Sequence, residues 1–186
     1  MTMNVASRES VPDTARAECV HDDAAVMAAF ARMANRVDTL LDGTPAVALA
    51  LLQGGIVPAG QLLPRLRTPV QLDTVHLTRY RNSTVGGTID WLAWPVTPLR
   101  GRAVLLIDDI LDEGHSLAAV AERCRHEGAA EVLTAVLVEK RHRRKHPHVQ
   151  ADVVGLEVDD RYVFGYGMDY LGWHRNAPGI FALADE

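Results

Sequence analysis

At 186 residues with 48% apolar side chains, the chain holds the material of one domain and can bury a core without disulfides or structural metal. Its formal charge of −5 excludes broad electrostatic binding of nucleic acid, which rests on a surplus of Lys and Arg. No apolar run reaches membrane-span length, no signal core opens the chain, and Cys19 and Cys124 make no disulfide framework, so a soluble, membrane-free protein of the reducing cytoplasm is expected.

Residues 1–21 are polar and aperiodic, which predicts a flexible tail, with residues 22–186 as a single domain. Asp22 and Asp23 can cap a helix whose apolar positions Val26, Phe30, Met33, Val37 and Leu40 recur at three- and four-residue steps. The run Ala46 to Leu52 is continuously apolar, of strand length, and bounded by Gly54 and Gly55, which suits a strand covered on both faces. A second helix follows through Ile56, Ala59, Leu62, Leu63 and Leu66, with Pro58 tolerated in its first turn. Residues 70–96 predict two strands around a polar, glycine-bearing loop from Arg81 to Gly87, a long mobile hairpin.

Ala103 to Ile107 gives another buried strand, and Leu117, Val120, Ala121 and Cys124 mark a helix face ending near Gly128. A third buried strand spans Glu131 to Val138, followed by a basic run from Arg141 to His146 that is expected as a solvated loop. Shorter strands are expected around Val153 to Leu156, Tyr162 to Tyr166 and Ile180 to Leu183. This alternation predicts an α/β fold with a central, mostly parallel sheet and helices on both faces.

The densest chemistry lies in Asp108-Asp109-Ile110-Leu111-Asp112-Glu113-Gly114-His115-Ser116, where a buried strand gives way to a helix. Open parallel sheets bind ligands at the carboxyl ends of their strands. Gly114 permits a tight turn whose backbone N–H groups converge on an anion, and the helix start adds partial positive charge. Asp108 and Asp109 can accept hydrogen bonds from vicinal hydroxyls, and Asp112 can reach a base attached to that sugar. Acidic residues can also simply solvate a strand end and cap a helix, although three carboxylates around one glycine turn argue for more. A receiver-type domain would want its acidic cluster near the first strand, which here ends in Gln53-Gly54-Gly55.

This segment resembles the phosphoribosyl pyrophosphate (PRPP) motif of type I phosphoribosyltransferases. Val163-Phe164-Gly165-Tyr166-Gly167-Met168-Asp169-Tyr170, followed by Arg175-Asn176-Ala177-Pro178, is similar to the purine-binding and closing segment of the hypoxanthine-guanine members. The resemblance runs from about residue 24 to residue 184. It implies a small hood built from the chain ends, transfer of a phosphoribosyl group from PRPP to a 6-oxopurine, and a homodimer or homotetramer. It also implies roles. Asp108 and Asp109 would hold the ribose hydroxyls and share magnesium (Mg2+), and Asp112 would exchange a proton with purine N7. The turn of Asp112, Glu113, Gly114, His115 and Ser116 would cradle the 5-phosphate, while Gln53 and Gly54 would meet pyrophosphate through the backbone.

Lys140, one of two lysines beside seventeen arginines, would donate to the 6-oxo group, although a strand-end cation that merely snorkels is the plain alternative. By the same resemblance, Tyr162 would stack on the purine and the Val163 backbone would bind its edge. Asp169 would hold a second magnesium through water, Arg175 would contact pyrophosphate, and Tyr80 would ride on a closing hairpin. Three positions depart from the family pattern: Glu113 where Thr is frequent, Arg79 where Ser commonly precedes the lid Tyr, and Gln53 where some members carry Lys. Two alternatives stay open: preference for xanthine, or for guanine over hypoxanthine, and a non-catalytic nucleotide-binding regulator on the same fold. Retention of Asp112 speaks against the regulator.

Overall fold

The computed structural model describes residues 10–79, 89–147 and 149–183. In chain order these form β1 (Glu18–Asp22), α1 (Asp23–Leu41), β2 (Ala46–Leu52), α2 (Ile56–Leu62), β3 (Val70–Arg79) and β4 (Ile89–Ala93). Then come β5 (Ala103–Leu111), α3 (His115–His126), β6 (Glu131–Arg141), β7 (Val153–Asp159), β8 (Val163–Phe164) and β9 (Gly179–Ala182). Among the described residues, six strands make one sheet in the order β4-β3-β2-β5-β6-β7, parallel throughout except where β4 runs against β3. The expected α/β architecture with helices on both faces is therefore present.

Strand alternation sorts the core into two layers. Ala46, Ala48 and Ala50 of β2 and Ala103, Leu105 and Ile107 of β5 pack with Val26, Phe30, Met33 and Val37 of α1. Val47, Leu49, Leu51, Val104 and Leu106 point the other way, onto Leu117, Val120 and Cys124 of α3. Because both faces are covered, β2 and β5 read as continuous apolar runs. Helix α1 lies chiefly over β7 and β6 of the sheet, and burying Phe30 in this layer contributes about 2–3 kcal/mol. Asp22 caps α1 by accepting the Ala25 N–H at 2.8 Å.

The expected tail ends too late. Glu18–Asp22 is a strand, paired antiparallel to β9, which in turn pairs with β8. This second, three-stranded sheet joins the two chain ends, as the resemblance implies for the hood. It is tied down by Arg161, which bonds the Glu18 carboxylate at 2.6 Å and the Leu183 carbonyl at 2.9 Å, and by the Tyr166 hydroxyl, which donates to Asp23. The run Glu-Cys-Val-His-Asp has no alternation to reveal it; its strand form comes from a partner some 160 residues away.

Two other boundaries move for local reasons. The second helix stops at Leu62 and tightens into a single 3-10 turn, Leu63–Arg65, because Pro64 has no N–H to continue the ladder. The strand expected over Tyr162 to Tyr166 shrinks to Val163–Phe164, since Gly165, Tyr166 and Gly167 all adopt positive φ and turn the chain. Tyr80 and the loop Arg81 to Gly87 lie outside the described residues.

Candidate active site

The carboxyl ends of β5 and β6 lie side by side beneath β8 of the hood. Strand β5 continues past Ile107 to Leu111, so Asp108 and Asp109 belong to the strand, not to the loop beyond it. Each carboxylate accepts the next backbone N–H: Asp109 N to Asp108 Oδ1 at 2.9 Å, and Ile110 N to Asp109 Oδ1 at 2.7 Å. Burial raises both pKa values, most strongly for Asp108, where the neighbouring Asp109 charge adds to the effect. Arg175 opposes this. Its Nη1 stands 3.9 Å from Asp109 Oδ2, and its Nη2 pairs with Asp169 Oδ1 at 2.7 Å.

Backbone crowds in from the other side. A Cβ on Gly54 would sit 2.0 Å from Asp109 Oδ2, and one on Gly167 would meet the Gly54 carbonyl at 2.3 Å. Glycine at both positions lets the turn after β2 and the closing segment touch the acidic pair. Gln53, immediately before Gly54, is exposed, and the peptide joining it to Leu52 is cis.

Asp112 stands one residue past β5, and each of its oxygens has a donor from the end of β6. Lys140 Nζ reaches Oδ2 at 3.0 Å, and His142 Nε2 reaches Oδ1 at 2.7 Å. Burial pushes this carboxyl upward, but the hydrogen bonds from Lys140 and His142, with the Lys140 charge, outweigh it and leave the pKa below the ordinary value. Asp112 is therefore ionised and aimed. Lys140 is largely covered beside it rather than snorkelling into solvent, its side chain 13% exposed.

Beyond Asp112 the chain makes the expected turn. Gly114 takes φ 81° before the first residue of α3, where a Cβ would strike Val149 at 2.5 Å and Leu111 at 2.7 Å. The N–H groups that open α3 have no intrahelical acceptors and carry the positive end of the helix dipole, the setting for an anion. Glu113 turns sideways, its carboxylate 3.5 Å from His115 Nε2, while its carbonyl accepts the His146 N–H at 2.7 Å. His115 meets the His146 ring edge-on, and Ser116 lies half-buried in the first turn.

A cleft of about 190 Å³ brings the two predicted halves together: Asp109, Ile110 and Asp112 on one side, Lys140, Tyr162, Val163, Met168 and Asp169 on the other. Tyr162 is half-exposed and held edge-on against Tyr170, ring centroids 5.6 Å apart. Val163 is buried in the hood sheet. Gly54 and Arg175 join this group through Asp109 and Asp169, whereas Glu113, Gly114, His115 and Ser116 form the adjoining turn. Tyr80 lies outside the described residues. Asp108, Asp109 and Asp169 offer hard carboxylate oxygens but do not converge on one point: Asp169 gives its oxygens to the Arg175 guanidinium and the Gly172 N–H, both at 2.7 Å, and among the described residues the ligand atoms that gather within 4.8 Å are those of Asp112, His142 and Asp160. Such a set suits a magnesium ion shared with substrate oxygens and water, not one caged by protein alone.

The basic run is solvated only in part: Arg141, Arg143 and Arg144 are exposed as expected, whereas His142, Lys145 and His146 are half-buried. Arg144 grips both oxygens of Asp160 at 2.7 and 2.9 Å, Lys145 pairs with Glu139 at 3.0 Å, and Arg141 lies 3.6–3.7 Å from Glu157 and Asp159. His142 is the site residue that the sequence analysis missed. It lies one residue past β6, where strand alternation gives no signal of its contact with Asp112.

The chain matches the phosphoribosyl transferase domain over residues 17–171. The hypoxanthine-guanine phosphoribosyltransferase of Bacillus subtilis (strain 168) is 34% identical over 138 residues, covering 74% of this chain and 76% of that protein. The bifunctional protein TilS/HprT of Listeria monocytogenes is 27% identical over all of this chain, which spans only 28% of that longer protein. Among solved structures, hypoxanthine phosphoribosyltransferase from Trypanosoma cruzi, in complex with the product IMP, superposes with a TM-score of 0.84 at 23% identity, over 94% of this chain and 98% of that one.

Proposed function

The chain belongs to the hypoxanthine-guanine phosphoribosyltransferases of the phosphoribosyl transferase domain family, and on that premise we propose that it transfers the 5-phosphoribosyl group of PRPP to hypoxanthine or guanine, giving IMP or GMP and pyrophosphate. The observation that carries this reading is the shared cleft, in which an acidic strand end suited to a sugar phosphate faces a lysine and an aromatic ring suited to a flat oxopurine. A cytoplasmic homodimer or homotetramer accompanies the reading by family resemblance.

Purine N9 forms its bond to C1 of the ribose as the bond from C1 to pyrophosphate oxygen breaks, and pyrophosphate leaves with that electron pair. Asp112, already ionised, accepts the N7 proton and so keeps the purine from accumulating positive charge. Lys140 donates to the 6-oxo group and Tyr162 stacks on the ring. Asp108 and Asp109 bind the ribose hydroxyls and offset the positive charge that develops on the sugar. The turn 112–116 receives the 5-phosphate, and the Gly54 backbone approaches pyrophosphate. Asp108, Asp109 and Asp169, with substrate oxygens and water, would hold magnesium, which would offset the negative charge of the leaving pyrophosphate.

Incubation with PRPP, magnesium and hypoxanthine or guanine is expected to give IMP or GMP with equimolar pyrophosphate; no nucleotide from either base ends this reading. Gly54→Ala supplies a steric test. Its methyl group collides with the Asp109 carboxylate, so KM for PRPP should rise by roughly tenfold or more, the cost of a misplaced binding group, and the melting temperature should fall by the few degrees that overpacking of about 1–3 kcal/mol brings. An unchanged KM would show that Gly54 does not border the PRPP site.

A further inference from the structure

We propose that His142 is a positioning residue for Asp112, an imidazole locked in one tautomer that holds the carboxylate in line with the purine after Lys140 turns to the 6-oxo group. The inference rests on the role proposed for Asp112 and adds to it a residue that touches no substrate.

The tautomer follows from two contacts. The Arg144 backbone N–H donates to His142 Nδ1 at 3.1 Å, so Nδ1 is an acceptor and bears no proton. The remaining ring proton is on Nε2, which donates to Asp112 Oδ1 at 2.7 Å. The side chain is only 5% exposed, so the ring has little room to swing away. Lys140, on Oδ2, lines the cleft, where a purine oxygen would compete for its ammonium, whereas His142 is not among the described residues that line it. Losing Lys140 without a second donor would leave the carboxylate free to rotate.

The surroundings keep this donor in place. Asp160 brings a carboxylate oxygen within 4.8 Å of the Asp112 and His142 ligand atoms, but both of its oxygens are held by Arg144. The same Arg144 therefore fixes the tautomer through its backbone and satisfies the nearby carboxylate through its guanidinium. The charged and titratable groups around the pair are Lys140, Arg144, Asp160 and Glu113.

The test compares His142→Ala, His142→Phe, which fills the ring volume without a donor, and His142→Gln, whose amide N–H reaches the Nε2 position. With PRPP saturating, the Ala and Phe variants should lose about tenfold in kcat, the value of one hydrogen bond to a charged group, at nearly unchanged KM for hypoxanthine. Their acid limb of kcat against pH should move to higher pH, since a carboxylate that loses a donor holds its proton more tightly. His142→Gln should recover most of the rate and the original limb. Equal kcat and an unmoved limb in all three variants would overturn the positioning role. If the Ala variant fails to fold, the Phe and Gln pair decides: Gln several-fold faster supports the role, equal rates remove it. A wild type without turnover defeats the functional reading itself, whereas an active wild type with a slow Asp112→Asn variant and indifferent His142 variants defeats the positioning role alone.

Discussion

Asp112→Asn should lower kcat for IMP formation by about 10²- to 10⁴-fold, the range that a positioned general base contributes. The substitution preserves size and leaves an amide oxygen to accept from Lys140 or His142, but it removes the carboxylate to which the proposal assigns the N7 proton. KM for hypoxanthine should change far less than kcat, because Lys140 and Tyr162 still bind the ring. The side chain is 43% exposed, so the variant should fold with a melting temperature close to that of the parent. Steady-state kinetics with a thermal melt checks both halves. Equal turnover in variant and parent would remove Asp112 from the chemistry.

Lys140→Met is expected to act on recognition. Methionine keeps the length of the buried stem and deletes the ammonium, so a charge-assisted hydrogen bond to the 6-oxo group is lost, about 1.5–3 kcal/mol or roughly 10- to 100-fold in KM for hypoxanthine. Adenine, whose 6-amino group is itself a donor, has no such bond to lose. The preference for hypoxanthine over adenine should therefore collapse by about the same factor. A second effect separates from the first: Asp112 loses its nearest cation, so the acid limb of the pH profile should shift upward. A variant with unchanged base preference would return Lys140 to the role of a structural cation paired with Asp112.

The sheet and the chemistry were legible in different ways. Strands β2, β5 and β6 declare themselves because both of their faces are buried, which leaves unbroken apolar runs bounded by glycine or charge. The acidic end of β5 is legible because three carboxylates before a glycine turn are costly to place together without a ligand. β1 was illegible: its residues are half-exposed and its order comes from pairing with β9. Long-range pairing of that kind leaves no local pattern. His142 was hidden by its neighbours, since a run of six basic residues looks like a solvated loop until Arg141, His142, Arg144 and Lys145 are seen to have acidic partners. Glu113, Arg79 and Gln53 depart from the family pattern, and only the first has a described side-chain contact that answers the departure, its pairing with His115.

A regulator that binds nucleotide without turnover would need the same cleft but no aimed base. Membership of the hypoxanthine-guanine phosphoribosyltransferases speaks against that reading.

A crystal structure of the protein with IMP tests the central geometry most directly. The phosphate should lie on the backbone N–H groups between Glu113 and Ser116, the ribose hydroxyls on Asp108 and Asp109, and the base against Tyr162 with its 6-oxo group on Lys140 and N7 facing Asp112. Nucleotide density elsewhere, or with the base turned away from Lys140 and Asp112, would contradict it.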